Sequence, residues 1–284
     1  MTAPASLKEI VARFKSELGD QYPADEIRNI CYLVAEQLLN YSKIDFHLNG
    51  EAPISANIAE KFMDALRRLK NWEPVQYVTG QTTFMDLDLR VNNNVLIPRP
   101  ETEELADWII RGEKPGVHIL DLGTGSGCIA IALAVHVPEA VISACDVSEA
   151  ALALARSNSA AHGNRVNFFR YDLLQQQEPL PGKFHVMVSN PPYVRQQEAV
   201  LMRPNVRDHE PGLALFVPDA DPMLFYRQIA LLARRFLHDG GRLYLEINEH
   251  FPDEVCRVLE NAGLFGTAVR NDLNGRARMV KAFK

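Results

Sequence analysis

Asp121-Leu122-Gly123-Thr124-Gly125-Ser126-Gly127 is the stretch on which the fold turns. Val117–Leu122 reads as a strand running into it, and Cys128–Val137 as a helix leaving it. Glycines at alternate positions let the chain turn tightly and let a ligand come close to the backbone. Strand, glycine turn and helix in that order open an α/β unit, whose ligands bind beyond the C-terminal ends of the strands. The spacing is G-x-G-x-G. It is neither the G-x-G-x-x-G of dinucleotide enzymes nor the Walker pattern with its lysine.

Outward from this turn the pattern repeats. Val141–Val147, Val166–Tyr171, Val186–Ser189 and Leu243–Ile247 read as strands, and Glu149–His162, Pro222–Leu237 and Asp253–Asn261 as helices. Thr267–Val269 and Met279–Phe283 add two final strands. Helical crossovers between most of these strands predict an α/β fold: a largely parallel, twisted sheet covered on both faces. Asn271–Gly275 is too short for such a crossover, so the last strand is predicted to run antiparallel. Upstream, apolar residues recur at helical spacing over Ser6–Leu18, Ala24–Tyr41 and Ser55–Trp72. Residues 1–75 are thus expected to form a small helical bundle. Residues 76–95, with alternating Phe84, Leu87, Leu89 and Val91, suggest a β-hairpin linker. Residues 96–284 make up the sheet domain.

Composition narrows the class. The 284 residues are 47% hydrophobic and 23% charged, with a net charge of −6. That balance does not suit a protein whose affinity rests on neutralising nucleic-acid phosphates. Cys31, Cys128, Cys145 and Cys256 lie far apart with no C-x-x-C pair, and read as core fillers in a reducing compartment, with no metal centre. The N-terminus has no apolar h-region, and the longest apolar run, Cys128–Val135, is far short of a membrane span. A cytoplasmic protein is expected.

Chemistry-bearing residues collect at predicted strand ends. Gly123, Thr124, Gly125, Ser126 and Gly127 form the turn, and Asp146 ends the next strand, where a carboxylate can accept both hydroxyls of a ribose. Asp172 ends the third strand and can accept an exocyclic adenine N–H, with the Leu173 backbone beside the ring edge. A nucleoside-bearing cofactor without phosphate fits this rim, and S-adenosyl-L-methionine is such a molecule. Ser189-Asn190-Pro191-Pro192-Tyr193 ends a further strand, since two prolines stop sheet pairing. The Asn190 side-chain oxygen and the Pro191 carbonyl can fix both N–H bonds of a planar amino group and aim its nitrogen at an incoming methyl. Tyr193 can pack on the flat face of that group. Arg99, between Pro98 and Pro100, is held near the sheet domain, and Glu101, Glu103 and Glu104 suit the first turn of a helix. The long stretch from Val194 to Asp221 shows little regular pattern, and is expected to border the substrate channel.

These motifs together resemble the release factor glutamine methyltransferases, the protein-(glutamine-N5) methyltransferase family. The resemblance rests on Gly80-Gln81 before Phe84, on Leu96–Glu104 (L-I-P-R-P-E-T-E-E), on Asp121–Gly127, on Asp146 and on Ser189–Tyr193. It implies a seven-stranded Rossmann-like class I methyltransferase sheet behind an N-terminal helical substrate-recognition domain. It also implies that Asn190–Tyr193 bind a glutamine in the Gly-Gly-Gln loop of class I peptide chain release factors. Gly123–Gly127, Asp146 and Leu173 would then bind S-adenosyl-L-methionine. Leu173 stands where some relatives carry an aromatic residue.

Three other readings compete. The N-P-P-Y tip also serves amino-directed methyltransferases acting on a nucleic-acid base; the acidic balance speaks against that acceptor. The glycine spacing disfavours a nicotinamide-dependent oxidoreductase. A non-catalytic cofactor-binding protein would keep the rim without needing the tip.

Overall fold

A computed structural model describes residues 6–175 and 179–284. Two compact units emerge, one from residues 6–81 with Arg203–His209, the other from Thr82–Met202 and Glu210–Lys284.

The first unit is helical. Helix α1 (Leu7–Leu18) is capped by the Ser6 hydroxyl, which accepts from Glu9 N, and it buries Leu7, Ile10, Phe14 and Leu18. Helix α2 (Ala24–Leu39) ends on Asn40, whose φ of 55° is the left-handed conformation asparagine tolerates. A short helix, α3 (Lys43–Leu48), follows, with Ser42 and Asp45 forming a capping box. It escaped the sequence reading because six residues burying only Phe46 show no period. Helix α4 (Ala56–Lys70) starts at Ser55 and sets Phe62 edge-on to Phe14. Residues 76–79, the start of the expected hairpin linker, wind instead with Val75 into α5 (Val75–Thr79) behind Pro74, and the helix stops at Gly80, φ 76°. Pro74 supplies the helix-compatible φ at that start, and the Thr79 hydroxyl donates to the Val75 carbonyl. Within this unit Arg203 pairs with Glu26 at 3.3 Å, and His209 Nε2 meets the Asn71 carbonyl at 2.7 Å.

The second unit opens with a hairpin, β1 (Gln81–Phe84) and β2 (Leu87–Arg90), closed by Met85 and Asp86, both at positive φ as a type I′ turn requires. Glu103 on α6 (Pro100–Gly112) holds that turn by accepting from Met85 N at 2.7 Å. Then come β3 (His118–Leu122), α7 (Cys128–His136), β4 (Val141–Asp146), α8 (Glu149–Ala161), β5 (Val166–Arg170) and β6 (Phe184–Ser189). The stretch after β6 is less irregular than its sequence suggested. It holds β7 (Val194–Arg195), a 3-10 turn (Gln196–Leu201), α9 (Pro204–Arg207, which belongs to the first unit), α10 (Gly212–Leu215) and β8 (Phe216–Val217), each too short for a readable period. Helix α11 (Leu224–Phe236), β9 (Leu237–Glu246), α12 (Pro252–Asn261), β10 (Phe265–Asn271) and β11 (Ala277–Phe283) complete it.

Seven strands form one sheet in the order β10-β11-β9-β6-β3-β4-β5. β3 pairs parallel with β4 and β6, while β11, the last strand, runs antiparallel to β9 and β10. Successive side chains of a strand point to opposite faces. Leu120, Met187, Leu243 and Leu245 therefore pack with α11 and α12 residues, while Ile119, Val186 and Val188 pack with α6 and α7 residues. Each such fully buried aliphatic side chain contributes roughly 1.5–3 kcal/mol.

Candidate active site

Two strand ends meet at the point where the sheet order reverses. β4 and β5 lie on one side of β3, and β6 and β9 on the other. Leu122 and Ser189, the last residues of β3 and β6, are register partners. Ser189 Oγ donates to the Leu122 carbonyl at 2.6 Å, so the glycine turn and the Asn190 tip leave the sheet side by side. Such a switch point is where open α/β sheets bind ligands.

The glycine turn is held from below. Gly123 N and Thr124 N both donate to the Cys145 carbonyl at 2.9 Å, and Gly125 N donates to Asp146 Oδ2 at 2.9 Å. Asn158 Nδ2 donates to the Ser126 carbonyl, and Thr124 Oγ1 to the buried Asp121 carboxylate at 2.6 Å. Gly123 and Gly125 have φ of 75° and 55°, and a Cβ added at either would meet no atom within 4 Å. The turn is therefore open on the side where side chains are missing. Gly127 differs: a Cβ there would lie 3.0 Å from Ile131 Cδ1 and 3.2 Å from Ala155 Cβ.

A cavity of about 340 Å³ lies against this turn, within the size range of small-molecule sites. Gly123–Ser126, Asp146, Asp172, Leu173, Asn190, Pro191 and Pro192 all line it; Gly127 and Tyr193 do not. Asp146 Oδ1 accepts from Ser148 N at 2.9 Å, and burial holds its carboxyl above the usual range against the pull of the Ser148 and Gly125 N–H groups. Ser148 caps α8, so Asp146 is not spent on that task. Each carboxylate oxygen has a second lone pair, which leaves capacity for ligand hydroxyls. Asp172 Oδ1 accepts from Leu174 N and Gln175 N and so closes a turn at the strand end. Its other oxygen is outside that turn. A nucleoside with an amino-acid tail fits this set: carboxylates on the rim, apolar walls at Leu173 and Ile129, and a glycine concavity with no lysine for phosphate.

The Asn190 tip is braced from behind. Asn190 Nδ2 donates to Thr102 Oγ1 at 3.1 Å, and Thr102 Oγ1 donates to Glu246 Oε2 at 2.7 Å. The Tyr193 hydroxyl donates to Glu246 Oε1 at 2.9 Å, and Asn248 Nδ2 holds the Tyr193 carbonyl at 3.1 Å. The Tyr193 ring packs on the core beside α11, and burial pushes its hydroxyl well above the usual tyrosine range. Thr102, Glu246 and Asn248 had no role in the sequence reading. The available signal was Glu246 itself, a carboxylate inside the apolar run Leu243–Ile247, which must find partners when buried. Among the described residues, no three His, Cys, Asp or Glu side chains gather as a metal site, and no helix is long and apolar enough to cross a membrane.

Residues 110–204 match the family described as methyltransferase small domain, and residues 9–80 match the PrmC N-terminal domain. The solved structure of a methyltransferase from Pyrococcus furiosus shares the fold, with a TM-score of 0.54 over 81% of this chain and 99% of that one, at 15% identity. Sheet order, glycine turn and cavity thus define a class I methyltransferase. Among curated proteins, the release factor glutamine methyltransferase of Bacteroides thetaiotaomicron is 39% identical over 97% of this chain and 99% of its own length. That of Flavobacterium psychrophilum is 39% identical over 97% and 98%. The chain belongs to the release factor glutamine methyltransferase family.

Proposed function

We propose that this protein transfers the methyl group of S-adenosyl-L-methionine to the side-chain amide nitrogen of the glutamine in the Gly-Gly-Gln loop of class I peptide chain release factors. The observation that carries the reading is the braced Asn190, whose Nδ2 is taken by Thr102 and whose carbonyl oxygen is left to accept from a ligand in the cavity. The relatives' names support the release factor as substrate and do not favour a nucleic-acid base.

S-adenosyl-L-methionine supplies a methyl on a sulfonium, which leaves without help from a metal. Gly123–Ser126, Asp146, Asp172 and Leu173 would hold it, and Gly127, which does not line the cavity, would keep the shape of the turn by packing against Ile131 and Ala155. An amide nitrogen is a poor nucleophile because its lone pair is delocalised. Asn190 Oδ1 and the Pro191 carbonyl would accept its two N–H protons, hold it in place and favour the positive charge that develops on it. Pro192 stiffens the tip, and Tyr193 braces it through Glu246. The methylated nitrogen is acidic and passes a proton to water, so no strong base is needed. Residues 1–75 would serve as the substrate-recognition domain, residues 76–95 as the linker and residues 96–284 as the catalytic domain of a cytoplasmic enzyme. The match of residues 9–80 to the PrmC N-terminal domain supports the first of these.

The test is incubation with methyl-labelled S-adenosyl-L-methionine, purified release factor and, in parallel, RNA and DNA. Label in the Gly-Gly-Gln peptide by mass spectrometry is the expected result. An unlabelled peptide, or label confined to nucleic acid, refutes the proposal.

A further inference from the structure

The chain of bonds behind Asn190 has a direction. Glu246 lies at the end of β9, 1% exposed, and an ionised carboxylate only accepts. Its Oε2 lies 2.7 Å from Thr102 Oγ1, so the single Thr102 hydroxyl proton is committed there. Thr102 therefore turns a lone pair toward Asn190, and only an N–H of Asn190 can bond to it. The other Glu246 oxygen is occupied by the Tyr193 hydroxyl. Burial pushes the Glu246 carboxyl above the usual range, and the Thr102 and Tyr193 hydroxyls and the Arg278 charge pull it back toward the ionised form.

We infer that Glu246, acting through the Thr102 hydroxyl, sets the sense of the Asn190 amide, and is a positioning residue for the methyl acceptor. The inference rests on the reading of Asn190 given above. With Nδ2 on Thr102, Oδ1 is the atom left for the acceptor nitrogen. The reversed amide would set its own NH2 against the acceptor NH2 and its oxygen against the Thr102 lone pair. A carboxylate at position 246 excludes that reversal. A carboxamide there puts a donor into the network, so that one of the Thr102 and Tyr193 bonds loses its sense.

The test compares Glu246→Gln, Thr102→Val and Thr102→Ser in the full chain. The first two are expected to lower kcat by about 10- to 100-fold, less than the loss of a group that touches the reacting atoms, because the Asn190 amide stays in place and loses only its bonded partner. KM for the release factor and Kd for S-adenosyl-L-methionine should stay within about twofold, since the loss lies in orientation. Thr102→Ser keeps the hydroxyl and should restore kcat. The double variant Glu246→Gln with Thr102→Val should be no slower than the slower single, because both act on one chain of bonds. Asparagine-labelled NMR of the ligand-free protein gives a second readout. One Asn190 side-chain N–H should exchange slowly in the wild type and in Thr102→Ser, and quickly in Thr102→Val.

Wild-type kcat in Glu246→Gln, equal losses in the Ser and Val variants, or an Asn190 signal indifferent to Thr102 overturns the inference. Should Glu246→Gln fail to fold, the Ser–Val pair and the NMR signal decide. A wild-type enzyme that methylated some other nitrogen acceptor would refute the substrate reading alone. The same variants on that acceptor would still judge the role of Glu246.

Discussion

Arg99 and Glu210 form an ion pair at 2.6 Å, and the second Glu210 oxygen accepts from Ile97 N at 3.1 Å. The Glu210 side chain is 1% exposed and that of Arg99 31%. One carboxylate thus ties the Leu96–Arg99 approach to the start of the Pro211–Leu215 segment, and both segments line the cavity. A buried carboxylate without its partner costs several kcal/mol, so the wall depends on the pair. Glu210→Gln keeps the volume and removes the charge. It should weaken S-adenosyl-L-methionine binding about tenfold, the result of loosening a wall by about 1.4 kcal/mol. Calorimetric titration of wild type and variant checks this. Equal affinities would mean that the pair does not shape the wall.

Gly125 and Gly127 share a turn but answer to different constraints. Both have positive φ, so alanine is strained at either, by about 1–2 kcal/mol. At Gly125 the new methyl enters open space beside the cavity; at Gly127 it meets Ile131 and Ala155. Gly127→Ala should therefore lower the melting temperature more, and Gly125→Ala should lower cofactor affinity more. Thermal melts and binding titrations on both variants give the ranking. A Gly127 variant as stable as the Gly125 variant would count against close packing of α7 on α8 as the reason for that glycine.

Legibility from sequence followed chain distance. The glycine turn and the Asn190–Tyr193 tip are contiguous, so their chemistry is visible as spelling. The sheet was readable because its buried strands are apolar, and the antiparallel last strand because Asn271–Gly275 leaves no room for a crossover. The brace was not readable, since Thr102 and Glu246 are separated by 144 positions and meet only through the fold. The Tyr193 ring was read as facing the substrate, yet the ring stands behind the tip, because a buried phenol needs an acceptor and Glu246 supplies one. Glu103 and Glu104 looked like solvated helix-start acids. In the fold they accept from Met85 N and Leu273 N, backbone donors that no local pattern reveals.

Replacing Asn190 separates holding the acceptor from holding the cofactor. Alanine removes both the bond to Thr102 and the acceptor oxygen, and leaves the glycine turn and Asp146 untouched. Methyl transfer should fall by about 100- to 1,000-fold, as when an enzyme loses one aligned group at a reacting centre. S-adenosyl-L-methionine affinity should change little. Single-turnover transfer and equilibrium binding, measured on the same preparation, check the split. Full transfer by Asn190→Ala would remove the tip from the chemistry and favour a cofactor-binding protein that docks on a partner.

Asp121 makes stability depend on pH in a defined direction. Burial pushes its carboxyl up to about 7; the Thr124 hydroxyl pulls the other way and Asp146 adds like charge. In the unfolded chain an aspartate titrates near 3.9, roughly three units lower. Below about pH 4 the carboxyl is protonated in both states, and its full contribution to stability is present. Between about pH 4 and 7 the unfolded chain gives up the proton while the folded chain keeps it, so this contribution falls as pH rises. Above about pH 7 both states are ionised and the loss is complete. Asp121→Asn keeps an oxygen for Thr124 and has nothing to titrate. Relative to wild type, it should gain on the order of 1 kcal/mol or more between pH 4 and pH 7.5. Urea midpoints of both proteins at the two pH values measure the difference. Curves that shift in parallel would mean that Asp121 ionises as readily folded as unfolded, and that Thr124 and the turn compensate its burial in full.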